Sequence, residues 1–156
     1  MTAGIEGAGV ENAFGVSIRL PRESTASEFL IDDPKLVNFR YFFTRKLSFV
    51  KESDAFVLLP GGFGTLDEAF ETLTLIQTGK AQPAPVVLLD VDGFWEPMLA
   101  WMDKAVEYGF VRPAHRMLAQ RALSVDEAIA MATSPVPDTP HKWLDRDSTP
   151  RSVPRP

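Results

Sequence analysis

The sequence contains no cysteine. This absence excludes a disulfide framework, a thiolate zinc site, an iron–sulfur cluster and a cysteine nucleophile, and it fits a reducing cytosol. Histidine is scarce as well, since it occurs only as His115 and His141, and neither has a second ligand at metal-binding spacing. We therefore expect no metal site and no histidine base.

Long apolar runs and a surplus of positive charge are also absent. No stretch of about 18 apolar residues occurs, so no segment is expected to span a membrane. The first twenty residues carry Glu6 and Glu11 and lack a basic start before an apolar core, unlike a secretory signal. The 16 Lys and Arg against 21 Asp and Glu give a net charge of -5, which argues against a protein that wraps nucleic acid. We expect a cytoplasmic protein without membrane or nucleic-acid partners.

A chain of 156 residues, 45% of them hydrophobic, is large enough for one domain with its own core. Composition changes near the C-terminus, where residues 134–156 hold six of the 13 prolines and almost no aliphatic side chains. Such a segment buries too little apolar surface to offset the entropy of ordering it. We predict one domain over residues 1–133 and a disordered tail over 134–156, in which Trp143 and Leu144 are able to dock weakly.

Between residues 15 and 133, short apolar runs alternate with stretches of helical periodicity. Strands are predicted over 16–20, 36–42, 55–59 and 86–89. Helices are predicted over 44–52 with Thr44 as its cap, over 65–78, 94–108 and 113–120, and over 126–132 with a capping box from Ser124 to Glu127. The apolar runs at 55–59 and 86–89 are typical of parallel strands buried on both faces. Strands that alternate with helices indicate an α/β fold, a parallel sheet with helices on both faces.

A glycine-rich turn follows the third predicted strand, in the segment Pro60-Gly-Gly-Phe-Gly-Thr-Leu-Asp-Glu68. Glycine lets the backbone approach a ligand closely, and the first amides of the next helix can donate to phosphate oxygens together with the Thr65 hydroxyl. The segment is not a P-loop, because no lysine follows the last glycine, and it lacks the third glycine of a dinucleotide fingerprint. On spacing alone, phosphate binding and a plain tight turn both remain open.

The same segment resembles the PGGxGTxxE motif of the LONELY GUY (LOG) family. These are cytokinin-activating nucleoside 5′-monophosphate phosphoribohydrolases, many of which were long labelled lysine decarboxylases. Residues 42–46, with Arg45 and Lys46, are similar to the family's RKxxM helix start, although Phe49 stands where the pattern has Met. Residues 53–56, 75–80 and 85–87 extend the resemblance, which covers residues 15–132 and implies a Rossmann-like fold.

The N-terminal segment departs from the family pattern. Family members begin with a strand, a helix and a second strand that ends in a GGGxxGxM loop, and this chain has no counterpart before its first predicted strand. Residues 1–12 resemble the remnant of the helix that follows that loop. We therefore expect the first βαβ unit to be missing, and with it half of the family's phosphate site.

The resemblance implies hydrolysis of the N-glycosidic bond of a purine nucleoside 5′-monophosphate, cytokinin-type or AMP, to free base and ribose 5-phosphate, without a cofactor. Carried over by motif, Glu68 is the catalytic carboxylate and Arg45 its partner, and the phosphate is bound by Gly61, Gly62, Gly64 and Thr65. Lys46 and Glu71 are further candidates. The spacing predicts Glu68 in the first turn of the helix that begins near Thr65, with Glu71 on the same face. A carboxylate at a helix start is also an ordinary dipole partner, so a purely structural role for Glu68 stays open.

A homodimer is implied by the resemblance and supported by an aromatic cluster around Arg45. This cluster consists of Phe39, Tyr41, Phe42, Phe43 and Phe49, more aromatic surface than one short strand and helix usually bury. The alternative is that these rings fill the core between the sheet and the helix.

Two other functional classes remain open at this stage. One is a catalytically inactive nucleotide-binding protein that keeps the fold. The other is an amino-acid decarboxylase, which needs pyridoxal phosphate on a lysine and a partner for the pyridine nitrogen. No lysine here has a recognisable context for that cofactor, so the decarboxylase ranks last.

Overall fold

A computed structural model of the chain describes residues 6–18 and 34–136. The chain divides into two compact units, Met1–Glu52 and Ser53–Pro156, which are described separately. The parts of the predictions that concern residues 1–5, 19–33 and 137–156 lie outside the described residues. Within the described ranges, no helix is both long enough and apolar enough to cross a membrane.

The first unit is built on a pair of parallel strands. Strand β1, Gly15–Ile18, follows a single 3₁₀ turn at Val10–Asn12 and pairs in register with β2, Leu36–Phe39. Helix α1, Phe42–Lys51, packs on both strands and buries Val50 and Lys46.

The second unit holds a three-stranded parallel sheet in the order β3-β4-β5. In chain order its elements are β3 Phe56–Leu58, α2 Phe63–Gln77, β4 Val86–Leu89, α3 Glu96–Glu107, α4 Pro113–Arg116, β5 Ala119–Ala122 and α5 Val125–Ala132. Leu58 lies opposite Leu88, and Leu88 lies opposite Arg121, so the carboxyl ends of the three strands share one edge of the sheet. Parallel pairing requires helical crossovers, and α2 and α3 supply them.

The core of the second unit surrounds the middle strand. Val86, Val87 and Leu88 of β4, the middle strand, are completely buried. Helix α5 covers one face of the sheet, where Ala128 packs against Val87 and Ala122. Parallel sheets with flanking helices confirm the predicted α/β class.

Two local predictions are confirmed in detail. Strand β4 begins at residue 86 and ends at residue 89, as predicted. The capping box is present, because the Ser124 hydroxyl accepts a 3.2 Å hydrogen bond from the Glu127 amide. The Glu127 carboxylate also reaches back to the helix start, where it accepts a 2.6 Å hydrogen bond from the amide of Leu123, one residue before the N-cap Ser124.

The prediction of a helix over 113–120 is wrong in its second half. The helix ends at Arg116, and Ala119–Ala122 forms the strand β5 beside β4. This strand has no β-branched or aromatic residue, so intrinsic propensity gives no signal for it. Its pairing with the apolar β4 decides its conformation.

Helix α1 begins two residues before the predicted cap. The second strand ends at Phe39 rather than at Phe42, and α1 starts at Phe42. Thr44 therefore lies inside the first turn, where its hydroxyl donates a 2.8 Å hydrogen bond to the Tyr41 carbonyl. The prediction that Thr44 caps the helix is wrong.

Strand β3 is shorter and less enclosed than predicted. It covers Phe56–Leu58, and Val57 is 45% exposed while Phe56 and Leu58 are buried. The prediction that this strand is buried on both faces is wrong, because Val57 points to the opposite face from Phe56 and Leu58 and is largely open to solvent there.

Candidate active site

The glycine-rich segment forms the N-terminal end of α2. Gly62 is the N-cap and has no side chain that could accept a hydrogen bond from the first helical amides. The first backbone hydrogen bond of the helix runs from the Leu66 amide to the Gly62 carbonyl at 3.1 Å. The amides of residues 63–65 precede that bond and have no acceptor within the helix. No acidic residue occupies the first turn. This helix end is suited to an anion, because its amides and dipole present positive charge.

Two kinds of glycine occur in this turn. A Cβ at Gly61 would overlap the Thr65 hydroxyl and lie 2.9 Å from the Thr65 Cβ, so only glycine fits there. At Gly62 and Gly64, nothing lies within 4 Å of an added Cβ. The backbone at 62 and 64 thus faces open space at the helix end, where a phosphate group has room.

The two candidate carboxylates lie further along α2. Because α2 begins at Phe63 rather than at Thr65, Glu68 is in the second turn, and the prediction that it lies in the first turn is wrong. Glu71 follows three residues later on the same side of the helix. The Oε2 atoms of Glu68 and Glu71 are both buried from solvent. A carboxylate in such a place interacts with charge more strongly than one in water.

The two basic candidates belong to the first unit and lie on α1. The Nε of Arg45 donates a 3.3 Å hydrogen bond to the Val16 carbonyl of β1. The charged ends of Arg45 and Lys46 lie 5.9 Å and 5.6 Å from the centre of the Phe42 ring. Lys46 is only 8% exposed. The aromatic ring and the strand therefore hold both cations in place by cation–π and hydrogen-bond contacts.

The structure thus groups the predicted residues in two sets. Gly61, Gly62, Gly64 and Thr65 lie together at the start of α2, with Glu68 and Glu71 on its following turns. Arg45 and Lys46 lie side by side in sequence on α1 of the other unit.

An ionic network at the carboxyl edge of the second sheet was missed by sequence reasoning. Asp90 follows β4 directly and is completely buried, and its Oδ1 accepts a 2.9 Å hydrogen bond from the Trp95 amide. Its Oδ2 accepts a 2.6 Å bond from Arg121 Nε, while Arg121 Nη2 donates to Glu96 Oε1 at 2.8 Å. The position of Asp90 at the end of an unbroken apolar strand was the available signal. Its partner could not be assigned without β5.

The described histidine lies on α4. Partial burial, and then the nearby Arg112 charge, lower the pKa of His115, so its imidazole is neutral at physiological pH. Among residues 6–18 and 34–136, no three His, Asp or Glu side chains are grouped so as to hold a metal ion.

Comparison with known proteins decides the family. A sequence model of the family described as "possible lysine decarboxylase" matches residues 2–132. The chain belongs to this family. The resemblance to LOG proteins predicted from the motifs is confirmed by curated relatives of that name.

Three LOG relatives illustrate the similarity. "Probable cytokinin riboside 5'-monophosphate phosphoribohydrolase LOGL2" of Oryza sativa subsp. japonica is 46% identical over 85 residues, which are 54% of this chain and 34% of that protein. The Arabidopsis thaliana cytokinin riboside 5′-monophosphate phosphoribohydrolase LOG1 is 43% identical over 93 residues, 60% of this chain and 43% of LOG1. LOG7 of the same plant, which has the same enzyme name, is 38% identical over 110 residues, 70% of this chain and 48% of LOG7. The matched stretch therefore spans less than half of each LOG relative.

Proposed function

We propose that the chain hydrolyses the N-glycosidic bond of a purine nucleoside 5′-monophosphate and releases the free base and ribose 5-phosphate. The observation that carries the proposal is the open, glycine-lined N-terminus of α2 with Glu68 one turn further along the same helix. The names of the LOG relatives support it, since they are phosphoribohydrolases of cytokinin riboside 5′-monophosphates.

The proposed role of the helix end is to bind the 5′-phosphate. The amides of residues 63–65 and the Thr65 hydroxyl donate hydrogen bonds to its oxygens, and the helix dipole favours its negative charge. Gly62 and Gly64 leave the space that these oxygens need. The phosphate thereby orients the ribose relative to α2.

The proposed role of Glu68 is to stabilise the sugar as positive charge develops on it. Cleavage of the bond between C1′ and the base passes through an oxocarbenium-like sugar, for which a nearby carboxylate is the appropriate counter-charge. Glu68 lies about 4.5 Å further along the helix axis than Thr65, given the rise of about 1.5 Å per residue. Water then adds its oxygen to C1′, and the departing base gains a proton. The role proposed for Arg45 is to orient the substrate or to stabilise developing charge, and Lys46 and Glu71 are further candidates for binding the substrate.

The protein is further proposed to act in the cytoplasm as a homodimer with α1 at the interface. Phe43 and Leu47 of α1 are 67% and 59% exposed, and Tyr41 and Phe42 are also exposed. The rings of Tyr41 and Phe43 stack at 5.8 Å, which makes the exposed surface continuous and apolar. Apolar surface of this kind is typical of contacts between chains.

Dependence on the 5′-phosphate tests the proposal. Turnover of AMP is to be compared with turnover of adenosine, which has the same glycosidic bond but no phosphate. We expect release of adenine from AMP and a much lower kcat/KM with adenosine, because adenosine lacks the phosphate that the N-terminus of α2 would bind. Equal rates for the two substrates would remove the proposed role of α2. Binding of AMP without release of adenine would favour the inactive nucleotide-binding protein.

A further inference from the structure

An apolar pocket lies at the amino edge of the second sheet, at the opposite ends of the strands from the glycine-rich turn. It has a volume of about 290 Å³. Pro85 lies directly before β4, Leu118 directly before β5, and Gln120 within β5, and all three line the pocket. Met117 and Met131 contribute thioether side chains. We call this space the amino-edge pocket.

The amino-edge pocket is a poor match for the nucleotide substrate. Ligands of parallel α/β sheets bind at the carboxyl ends of the strands, which are at the other edge. Sites for free small molecules are commonly about 300–1,000 Å³, so this pocket lies at the lower limit. Its volume and apolar lining are better suited to one large side chain.

The chain itself forms one wall of the pocket. After α5, residues Ser134, Pro135 and Val136 line it, and the chain continues from there for 20 more residues. Among those residues, Trp143 and Leu144 are the one pair of adjacent large apolar side chains. Trp143 follows Val136 by seven residues, a span of up to about 25 Å when extended, so it can turn back to the pocket.

We propose that Trp143, with Leu144 beside it, occupies the amino-edge pocket of the same chain. The Met117 side chain lines the pocket and is 70% exposed, so an indole ring in the pocket can pack against it. Thioether sulfur makes favourable contacts with aromatic rings. The Gln120 side chain offers an amide oxygen to the indole N–H, which needs an acceptor when it is buried. Closing a loop of this length has only a modest entropy cost, because that cost grows slowly with length.

Fluorine NMR on the full chain labelled with 5-fluorotryptophan tests the proposal. The chain has three tryptophans, and the Trp143 signal is assigned from its disappearance in Trp143→Phe. We expect this signal to lie away from the position of free 5-fluorotryptophan and to be protected from a soluble paramagnetic relaxation agent. Trp101, which is 56% exposed, provides the internal reference for an accessible ring.

A matched pair of charge substitutions identifies the binding site. Met117→Glu places a charge in the pocket lining at an exposed position, so the fold tolerates it. Ile129→Glu is the control, because Ile129 is also exposed, at 57%, and does not line the pocket. We expect Met117→Glu to move the fluorine chemical shift of Trp143 to that of free 5-fluorotryptophan and to abolish its protection from the relaxation agent. Ile129→Glu should leave both the shift and the protection unchanged.

Three results would overturn the proposal. The first is a Trp143 signal in the wild-type chain that is at the free position and as accessible as Trp101. The second is a protected signal that responds to neither substitution. The third is protection that disappears on dilution, which would show that the pocket binds Trp143 of a second chain.

Discussion

The Nε of Arg121 on β5 donates a 2.6 Å hydrogen bond to Oδ2 of Asp90, the completely buried residue that directly follows β4. The two residues are 31 positions apart in sequence, and their contact fastens the carboxyl end of β5 to the loop that leads into α3. Hydrogen bonds to Glu96 and then to Asp90 raise the pKa of the Arg121 guanidinium, so this group keeps its positive charge at physiological pH. A buried charge held in this way is strongly destabilising if its partner is lost.

Whether a substitution of Asp90 raises or lowers the unfolding temperature should therefore depend on the residue at position 121. Arg121→Met is expected to lower the unfolding temperature, because it leaves the Asp90 carboxylate buried without its counter-charge. Asp90→Asn should destabilise the wild-type chain, because it removes the counter-charge of Arg121. The same substitution should stabilise the Arg121→Met variant, because it removes the unpaired buried charge while the asparagine oxygen still accepts the hydrogen bond from the Trp95 amide. Lys104→Met is the control, because it breaks the exposed pair with Glu107 and should change little. Additive effects in thermal unfolding would contradict the coupling.

Gly61 should tolerate no side chain, whereas Gly64 should. Gly61→Ala puts a methyl group against Thr65, and overpacking of this kind costs about 1–3 kcal/mol. Gly64→Ala is the matched control, because its methyl group meets open space. Alanine also loses less backbone entropy than glycine when it enters a helix, so this variant should be no less stable than the wild type. Thermal unfolding measures both. Equal stability of the two variants would contradict the close contact between residue 61 and Thr65.

Charge at Glu68 should control turnover rather than phosphate binding. Glu68→Gln keeps the size of the side chain and removes its charge, so we expect kcat on AMP to fall by roughly 10²–10⁴-fold. The affinity for ribose 5-phosphate should stay nearly the same, because the helix end is intact. Asp67→Asn is the control, since Asp67 is the exposed neighbouring acid. If Glu68→Gln retains full turnover, Glu68 is an ordinary helix carboxylate.

A charge on the exposed face of α1 should separate the subunits of the proposed homodimer and abolish the proposed activity together. We expect Phe43→Glu to convert a dimer into a monomer of 17.3 kDa, seen by light scattering at micromolar concentration. Phe110→Glu is the control, because Phe110 is 83% exposed and lies in the other unit. A wild-type chain that is monomeric and still hydrolyses AMP would show that its site needs no second subunit.

The residues themselves explain how far the sequence could predict the fold. Val86 to Leu89 are all apolar, a run that is typical of a buried parallel strand, so β4 was predicted at its observed bounds. Ala119 to Ala122 are small or polar, and their strand conformation depends on pairing with β4, which local propensity does not encode. The early start of α2 at Phe63 was missed because glycines at 61, 62 and 64 read as a loop.

Prediction of the candidate site had a similar limit. The glycine-rich turn was found because three glycines in four positions have few structural uses, while the roles of Glu68 and Arg45 came from the family motif. The burial of Asp90 against Arg121 depends on a contact between two strands. No local pattern contains that information.

The most direct test of the central claim is the product analysis of the purified full chain. The protein is incubated separately with AMP, with a cytokinin riboside 5′-monophosphate, and with lysine plus pyridoxal phosphate, and the products are separated by chromatography. We predict free base and ribose 5-phosphate in equal amounts from at least one nucleotide, and no product from lysine. Carbon dioxide from lysine, with no free base from either nucleotide, would contradict the account.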